Sequence, residues 1–299
     1  MKPSTKTAQN GNIELWSEAF GEIGDHAVLL VAGANAPGSM WPDALVSRLV
    51  QGGFGVIRYD HRDTGRSTTR DFDEAPYAIA DLADDALTVL DAHGIDRAHV
   101  VGLSLGGTIG QLLAIEAPER LRSLTLMLTA ALDVDFADAY MRAMNGETSP
   151  GPLPGPAPDV VRQLAAMFTP GETEAEEVAR RVEVWRTLNG EIAGFDADDF
   201  ARRERAAIRH ADTVAPATAH ARAEPVPLHR GAELSQVDVP TLVIQGGQDP
   251  LNPPPHGQHI ADLIPTARHV EIGELGHALP KQLLPKIADL LVTHFRASN

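Results

Sequence analysis

The sequence predicts an α/β fold in which a mostly parallel sheet is interrupted by a helical insertion and then resumed. Three observations carry this. Short, continuous apolar runs such as Ala27-Val28-Leu29-Leu30-Val31 alternate with stretches whose apolar residues recur at helical spacing. Runs of that kind are strands buried on both faces, the mark of a parallel sheet covered by helices. From about Asp133 to Arg230 no comparable strand appears and only helical patterns are found; the alternation then returns at Pro240. The organisation expected is a core of residues 1–132 and 231–299 with a helical cap at 133–230.

Composition bounds the function. With 299 residues the chain has room for one large α/β domain with an insertion, or for two ordinary domains. At 43% hydrophobic and 22% charged it falls among soluble globular proteins. No apolar run approaches the ~20 residues of a membrane span. The start, Met1-Lys2-Pro3-Ser4-Thr5, lacks the apolar centre of a secretory signal, so a cytoplasmic location and no membrane partner are expected. The absence of cysteine excludes disulfides, thiolate metal sites and a cysteine nucleophile. A net charge of −16 opposes nucleic-acid binding, which depends on Lys and Arg neutralising phosphates.

Taken in order, Ile13 to Phe20 alternates loosely and reads as an outer antiparallel strand, and Ala27 to Gly33 reads as a central one. A loop of small residues, Ala34 to Met40, precedes a helix opened by Trp41-Pro42-Asp43 and ended by Gly52-Gly53. The strand Gly55 to Asp60 delivers the loop His61 to Ser67, and Asp81 to His93 forms a helix capped by Gly94. The strand from Ala98 runs into Gly102-Leu103-Ser104-Leu105-Gly106, after which Thr108 to Ala117 is helical. Leu121 to Leu128 is the next strand. In the insertion the clearest helices are Ala137 to Met144, Val160 to Phe168, Glu174 to Leu188 and Asp198 to His210. Pro150 to Pro158 carries too many prolines and glycines for helix or central strand and reads as an extended loop, either a linker or a hinge. A strand in the stretch Pro240 to Asp249 and another at Ala267 to Ile272 follow, with helices at His256 to Leu263 and Lys281 to Phe295.

A strand that turns sharply into a helix with glycines two residues either side of a serine is the Gly-x-Ser-x-Gly nucleophile elbow. A serine hydroxyl is a poor nucleophile at neutral pH, so Ser104 requires a base and a group that orients the base. Asp249 sits at the carboxyl end of a predicted strand and His277 just after the last one, and open α/β sheets build their sites beyond the carboxyl ends of strands. The order Ser, Asp, His is the one expected of this elbow. A turn aspartate before proline, and one of twelve histidines falling after a strand, are the ordinary alternatives for each taken singly. The oxyanion formed on attack needs two backbone donors, assigned to the amides of Leu105, at the helix start, and Ala34, in the loop after the first central strand. His256 and His259 lie three apart on a helix without an evident carboxylate set. They read as a solvated face rather than a metal site, and no metal is expected.

On these residues the chain resembles the α/β-hydrolase fold, which implies an eight-stranded, mostly parallel sheet flanked by helices with a helical cap. Asp60-His61-Arg62-Asp63-Thr64-Gly65-Arg66-Ser67 resembles the family's Asp-x-Arg-Gly-x-Gly-x-Ser loop, with Asp63 in place of the first glycine and Ala32 in place of a common histidine before Gly33. His61-Arg62-Asp63 also mimics a kinase triplet, but no phosphate loop accompanies it. More narrowly, Glu14 to Ser17, Ile57 to Arg70, Asp96 to Ser104, Pro240 to Gln245, Pro265 to Arg268 and Gly276 to Pro280 resemble the aclacinomycin methylesterases of anthracycline-producing bacteria. That resemblance implies a cofactor-free serine carboxylesterase whose partner is a small-molecule polyketide methyl ester, with Ser104 as nucleophile, His277 as base and then acid, and Asp249 as orienter. Phe136, Met141, Met144, Met167, Phe168 and Trp185 are candidate walls of its apolar pocket, with ordinary helix packing as the alternative for each.

Serine at the elbow argues against haloalkane dehalogenases and epoxide hydrolases, which use aspartate there. Carbon-carbon bond hydrolases and perhydrolases share the serine triad, and a hydrolase-like ligand receptor shares the fold; the sequence leaves these open.

Overall fold

A computed structural model describes residues 2–166 and 171–298. Its eight strands are β1 (Ser4–Asn10), β2 (Ile13–Phe20), β3 (Ala27–Val31), β4 (Gly55–Tyr59), β5 (Ala98–Leu103), β6 (Leu121–Met127), β7 (Thr241–Gly246) and β8 (Ala267–Ile272). They form one sheet in the order β1-β2-β4-β3-β5-β6-β7-β8. β2 pairs antiparallel with both neighbours and alone runs against the rest.

The central strands are apolar without interruption because both faces are covered. Leu29, Val31, Val100, Leu124, Leu126 and Val243 pack under α2 (Ile79–Ala92), α3 (Leu105–Glu116) and α8 (His256–Leu263). Val28, Leu30, Val101, Met127, Leu242 and Ile244 pack under α1 (Asp43–Gln51) and α9 (Leu284–Ala297). Burying a side chain of this size stabilises by roughly 1.5–3 kcal/mol, so each face contributes far more than any surface contact. Between β6 and β7 lie α4 (Phe136–Met144), α5 (Pro158–Ala166), α6 (Glu174–Asn189) and α7 (Ala197–Ala211). The last three share a smaller cluster of Val160, Val178, Val182, Leu188, Phe200 and Ile208, which also takes in Leu251 and Ala278 from the sheet side. A 3₁₀ turn at Leu228–Gln236 returns the chain to the main core through Leu234.

Three expectations are corrected. Ser4–Asn10 forms an edge strand, although its nearly all-exposed residues carry no apolar signal. The last helix starts at Leu284 rather than Lys281, with Pro285 in its first turn. The proline-rich loop is anchored near its end: Ala157 N–H donates to Pro250 O at 2.7 Å, and His256 Nε2 donates to Pro154 O at 2.9 Å. His256 is therefore buried, not on a solvated face, and His259 bonds Asp133. No described helix is long and apolar enough to cross a membrane.

Candidate active site

The strand order makes the site. β3 lies between β4 and β5, so the chain leaves β3 for α1 on one face and leaves β5 for α3 on the other. The two loops part at the carboxyl ends of adjacent strands and open a crevice, the place where doubly wound sheets bind ligands. Ser104 stands in it, at φ 55° and ψ −118°. A side chain held there costs on the order of 1–3 kcal/mol, which the surrounding packing must offset. The glycines allow that packing: a Cβ on Gly102 would lie 2.0 Å from Gly106 O, and one on Gly106 would lie 2.2 Å from Val31 O. The α3 start is thereby pressed onto the elbow strand and β3. Ser104 N–H donates to Met127 O at 2.9 Å, and Ser104 O accepts from Gly107 N–H at 2.7 Å.

Asp249 and His277 follow β7 and β8 as expected and meet. His277 Nδ1 bonds Asp249 Oδ2 at 2.9 Å and Oδ1 at 3.0 Å, both residues buried. Oδ1 of Asp249 also accepts from Leu251 N–H at 2.9 Å and Asn252 N–H at 3.0 Å. A buried carboxylate holding three N–H donors is the arrangement that keeps a charge desolvated without leaving it unpaired. It also fixes the imidazole with its proton on Nδ1 and its lone pair on Nε2. Asn252 Nδ2 donates to Leu128 O at 3.0 Å, and Gln245 Nε2 donates to Asn252 O at 2.9 Å, so the aspartate loop is stitched to β6 and β7.

The two amides assigned to the oxyanion follow β5 and β3, the neighbouring strands whose loops part at the crevice. Leu105 is the first residue of α3, where a backbone N–H has no acceptor within the helix and the dipole favours negative charge. Ala34 is exposed in the turn Gly33–Ala36, and a Cβ on Gly33 would lie 3.5 Å from Ser104 Cβ. The loop after β4 frames this turn. Asp60 accepts from Gly38 N–H and Arg66 N–H at 2.8 Å each, and Arg62 grips the buried Asp85 with two bonds of 2.7 and 2.8 Å. Asp63 stands where the family pattern has glycine and has φ 64°, a left-handed position that Asp tolerates better than most residues.

The insertion reaches the site in ways the sequence does not show. Leu188 O, near the end of α6, accepts from His277 N–H at 2.6 Å. His210 of α7 bonds Asp60 Oδ2 at 2.6 Å. His220, in the 3₁₀ turn Ala219–Arg222, bonds the Ala34 turn. These contacts join residues far apart in sequence, from segments with no motif to mark them. Among the candidate wall residues, Phe136 lines a cavity of about 220 Å³ that Leu251 and His256 also border. Trp185 stacks on Phe200 and bonds Glu204, so it packs the insertion. Met141 is exposed and Met144 half-buried, and Met167 and Phe168 lie outside the described residues.

The profile described as alpha/beta hydrolase fold matches residues 26–281. The chain is 49% identical over 295 residues to rhodomycin D methylesterase of Streptomyces peucetius, covering 99% of each. It is 48% identical, with the same coverage, to a rhodomycin D methylesterase from another Streptomyces strain. Among solved structures, a hydrolase from Pseudomonas aeruginosa superposes with a TM-score of 0.68 at 28% identity, covering 98% of each chain. On its sheet order, its elbow and these matches, the chain belongs to the alpha/beta hydrolase fold family.

Proposed function

We propose that this chain is a serine carboxylesterase that removes the methyl group of an anthracycline-type methyl ester, with residues 133–230 acting as its cap. The observation that carries the substrate class is the 49% identity to rhodomycin D methylesterase across 99% of both chains. The buried Asp249–His277 pair, carried by the loops after β7 and β8, and the positive-φ serine of the elbow support the mechanism.

Ser104 Oγ attacks the ester carbonyl carbon while its proton passes to His277 Nε2. The negative oxygen that results accepts from the Ala34 and Leu105 amides, whose backbone N–H groups stabilise the charge as it develops. His277 returns the proton to the departing methoxide, the carbon–oxygen bond breaks, and methanol leaves an acyl group on Ser104. Water then attacks with His277 as base; the acyl–serine bond breaks, Ser104 regains its proton, and the free acid departs. Asp249 stays ionised throughout and stabilises the imidazolium formed in each half-reaction.

The test is mass spectrometry of a carbomethoxy anthracycline incubated with the intact protein and with Ser104→Ala. Conversion to the acid, or to its decarboxylated product, over many turnovers by the intact protein alone is expected. Hydrolysis of simple aryl esters but not of the anthracycline would keep the serine esterase and discard the substrate. Equal conversion by both proteins would discard the mechanism.

A further inference from the structure

We propose that His220, carried by the insertion, is a positioning residue for the oxyanion site, acting through the backbone of Asn35 on the Ala34 amide. The inference rests on the serine-esterase reading above.

The Ala34 amide belongs to the Gly33–Ala34 peptide, and the turn that carries it is weakly held by its own bond, Ala36 N–H to Gly33 O at 3.3 Å. Asn35 occupies the third position of that turn with φ 60°, the left-handed conformation a type II turn requires. The peptides on either side of Gly33–Ala34 are gripped from outside. Ala32 O accepts from His61 Nε2 at 3.1 Å. Asn35 N–H donates to His220 Nδ1 at 2.9 Å, and His220 N–H returns a bond to Asn35 Oδ1 at 3.2 Å. His220 Nε2 in turn donates to Arg62 O at 3.0 Å. With the peptides before and after it pinned, the Gly33–Ala34 peptide has little freedom to rotate its N–H.

Only one form of His220 satisfies both ring bonds: the neutral imidazole with its proton on Nε2 and its lone pair on Nδ1. Burial favours that neutral form, lowering the pKa of His220, and the His61 ring packs edge-on at 5.4 Å. The two histidines thus make a buried neutral pair under the turn, one supplied by the loop after β4 and the other by the insertion. The insertion therefore does more than cover the crevice; it completes the wall that receives the oxyanion.

Two near-isosteric substitutions separate the two ring bonds. His220→Asn keeps an acceptor oxygen near the position of Nδ1 and loses the donor to Arg62 O. His220→Gln keeps a donor near Nε2 and loses the acceptor for Asn35 N–H. Steady-state hydrolysis of p-nitrophenyl acetate is measured for both, with the inhibition constant of phenylboronic acid, whose tetrahedral serine adduct places an oxygen in the oxyanion site. The expected result is a kcat reduced by about 10–100-fold in His220→Gln, part of the cost of losing an oxyanion donor, with KM little changed and boronate affinity reduced in parallel. His220→Asn should retain kcat within about threefold, because the acceptor that holds the turn remains. Wild-type kcat in His220→Gln, or equal losses in both variants, would assign His220 to a general tether of the insertion and overturn the proposal. Should the His220 variants fail to fold, Asn35→Gly, which keeps the positive φ and the backbone N–H to His220 Nδ1 and loses only Oδ1, must retain kcat within about threefold, and a loss of tenfold or more there would overturn the backbone route. A Ser104→Ala protein that hydrolyses the ester at the wild-type rate would instead remove the serine reading, and this inference with it.

Discussion

Ser104, Asp249 and His277 were legible because each sits where local sequence grammar is strong: at the end of an apolar strand, among glycines or before proline. What the grammar does not reveal is how Asp249 is held. Its carboxylate accepts from Leu251 and Asn252 as well as from His277, so it shapes a loop and orients the His277 ring at once. Asp249→Asn preserves the size and one acceptor but turns an N–H toward His277, which favours the wrong tautomer. We expect kcat to fall by about 10⁴-fold with little change in the unfolding midpoint, measured by ester hydrolysis and urea denaturation. His220 was not legible. Its partner Asn35 lies 185 residues away, and the segment around His220 has neither periodicity nor motif.

At the scale of elements, the elbow is a compromise between a strained serine and three closely packed backbones. Glycine at 106 is required because β3 passes within 2.2 Å of where its Cβ would be, and backbone cannot yield as a side chain can. Gly106→Ala should therefore destabilise the fold by at least ~3 kcal/mol, read as a lower urea midpoint at unchanged slope. Central strands could be read directly because two-sided burial leaves a continuous apolar run. β1 could not, since an exposed edge strand buries almost nothing and is held by its pairing with β2. The insertion's helices were found by period, but their seating was not. A Cβ on Gly276 would lie 2.3 Å from Leu188 O, so Gly276→Ala should push α6 off the His277 loop. Ester hydrolysis should drop by about tenfold or more, as a misplacement of ~1 Å at a catalytic group commonly does.

Across the whole molecule, the sheet supplies Ser104, Asp249 and His277 while the insertion presses on their surroundings at Leu188, His210 and His220. The buried histidines beneath this junction make the fold sensitive to acid. Burial first, then His220, with Arg62 adding and the bond to Ala32 O opposing, lowers the pKa of His61 to about 3. Unfolded His61 binds its proton near pH 6.5, so between those values the unfolded chain holds more protons and stability falls as pH falls. His61 alone should remove about 1.4 kcal/mol per pH unit through that window. His61→Gln, which keeps the donor to Ala32 O and does not titrate, should flatten the dependence in urea titrations at pH 7 and pH 5. The direct test of Ser104 as nucleophile is peptide mapping after labelling with a fluorophosphonate, which reacts only with a serine activated by its base and oxyanion site. One adduct per chain is expected, on the peptide containing Ser104, lost in Ser104→Ala and strongly slowed in His277→Ala. An adduct on another residue, or no adduct in a protein that hydrolyses the methyl ester, would contradict that role of Ser104.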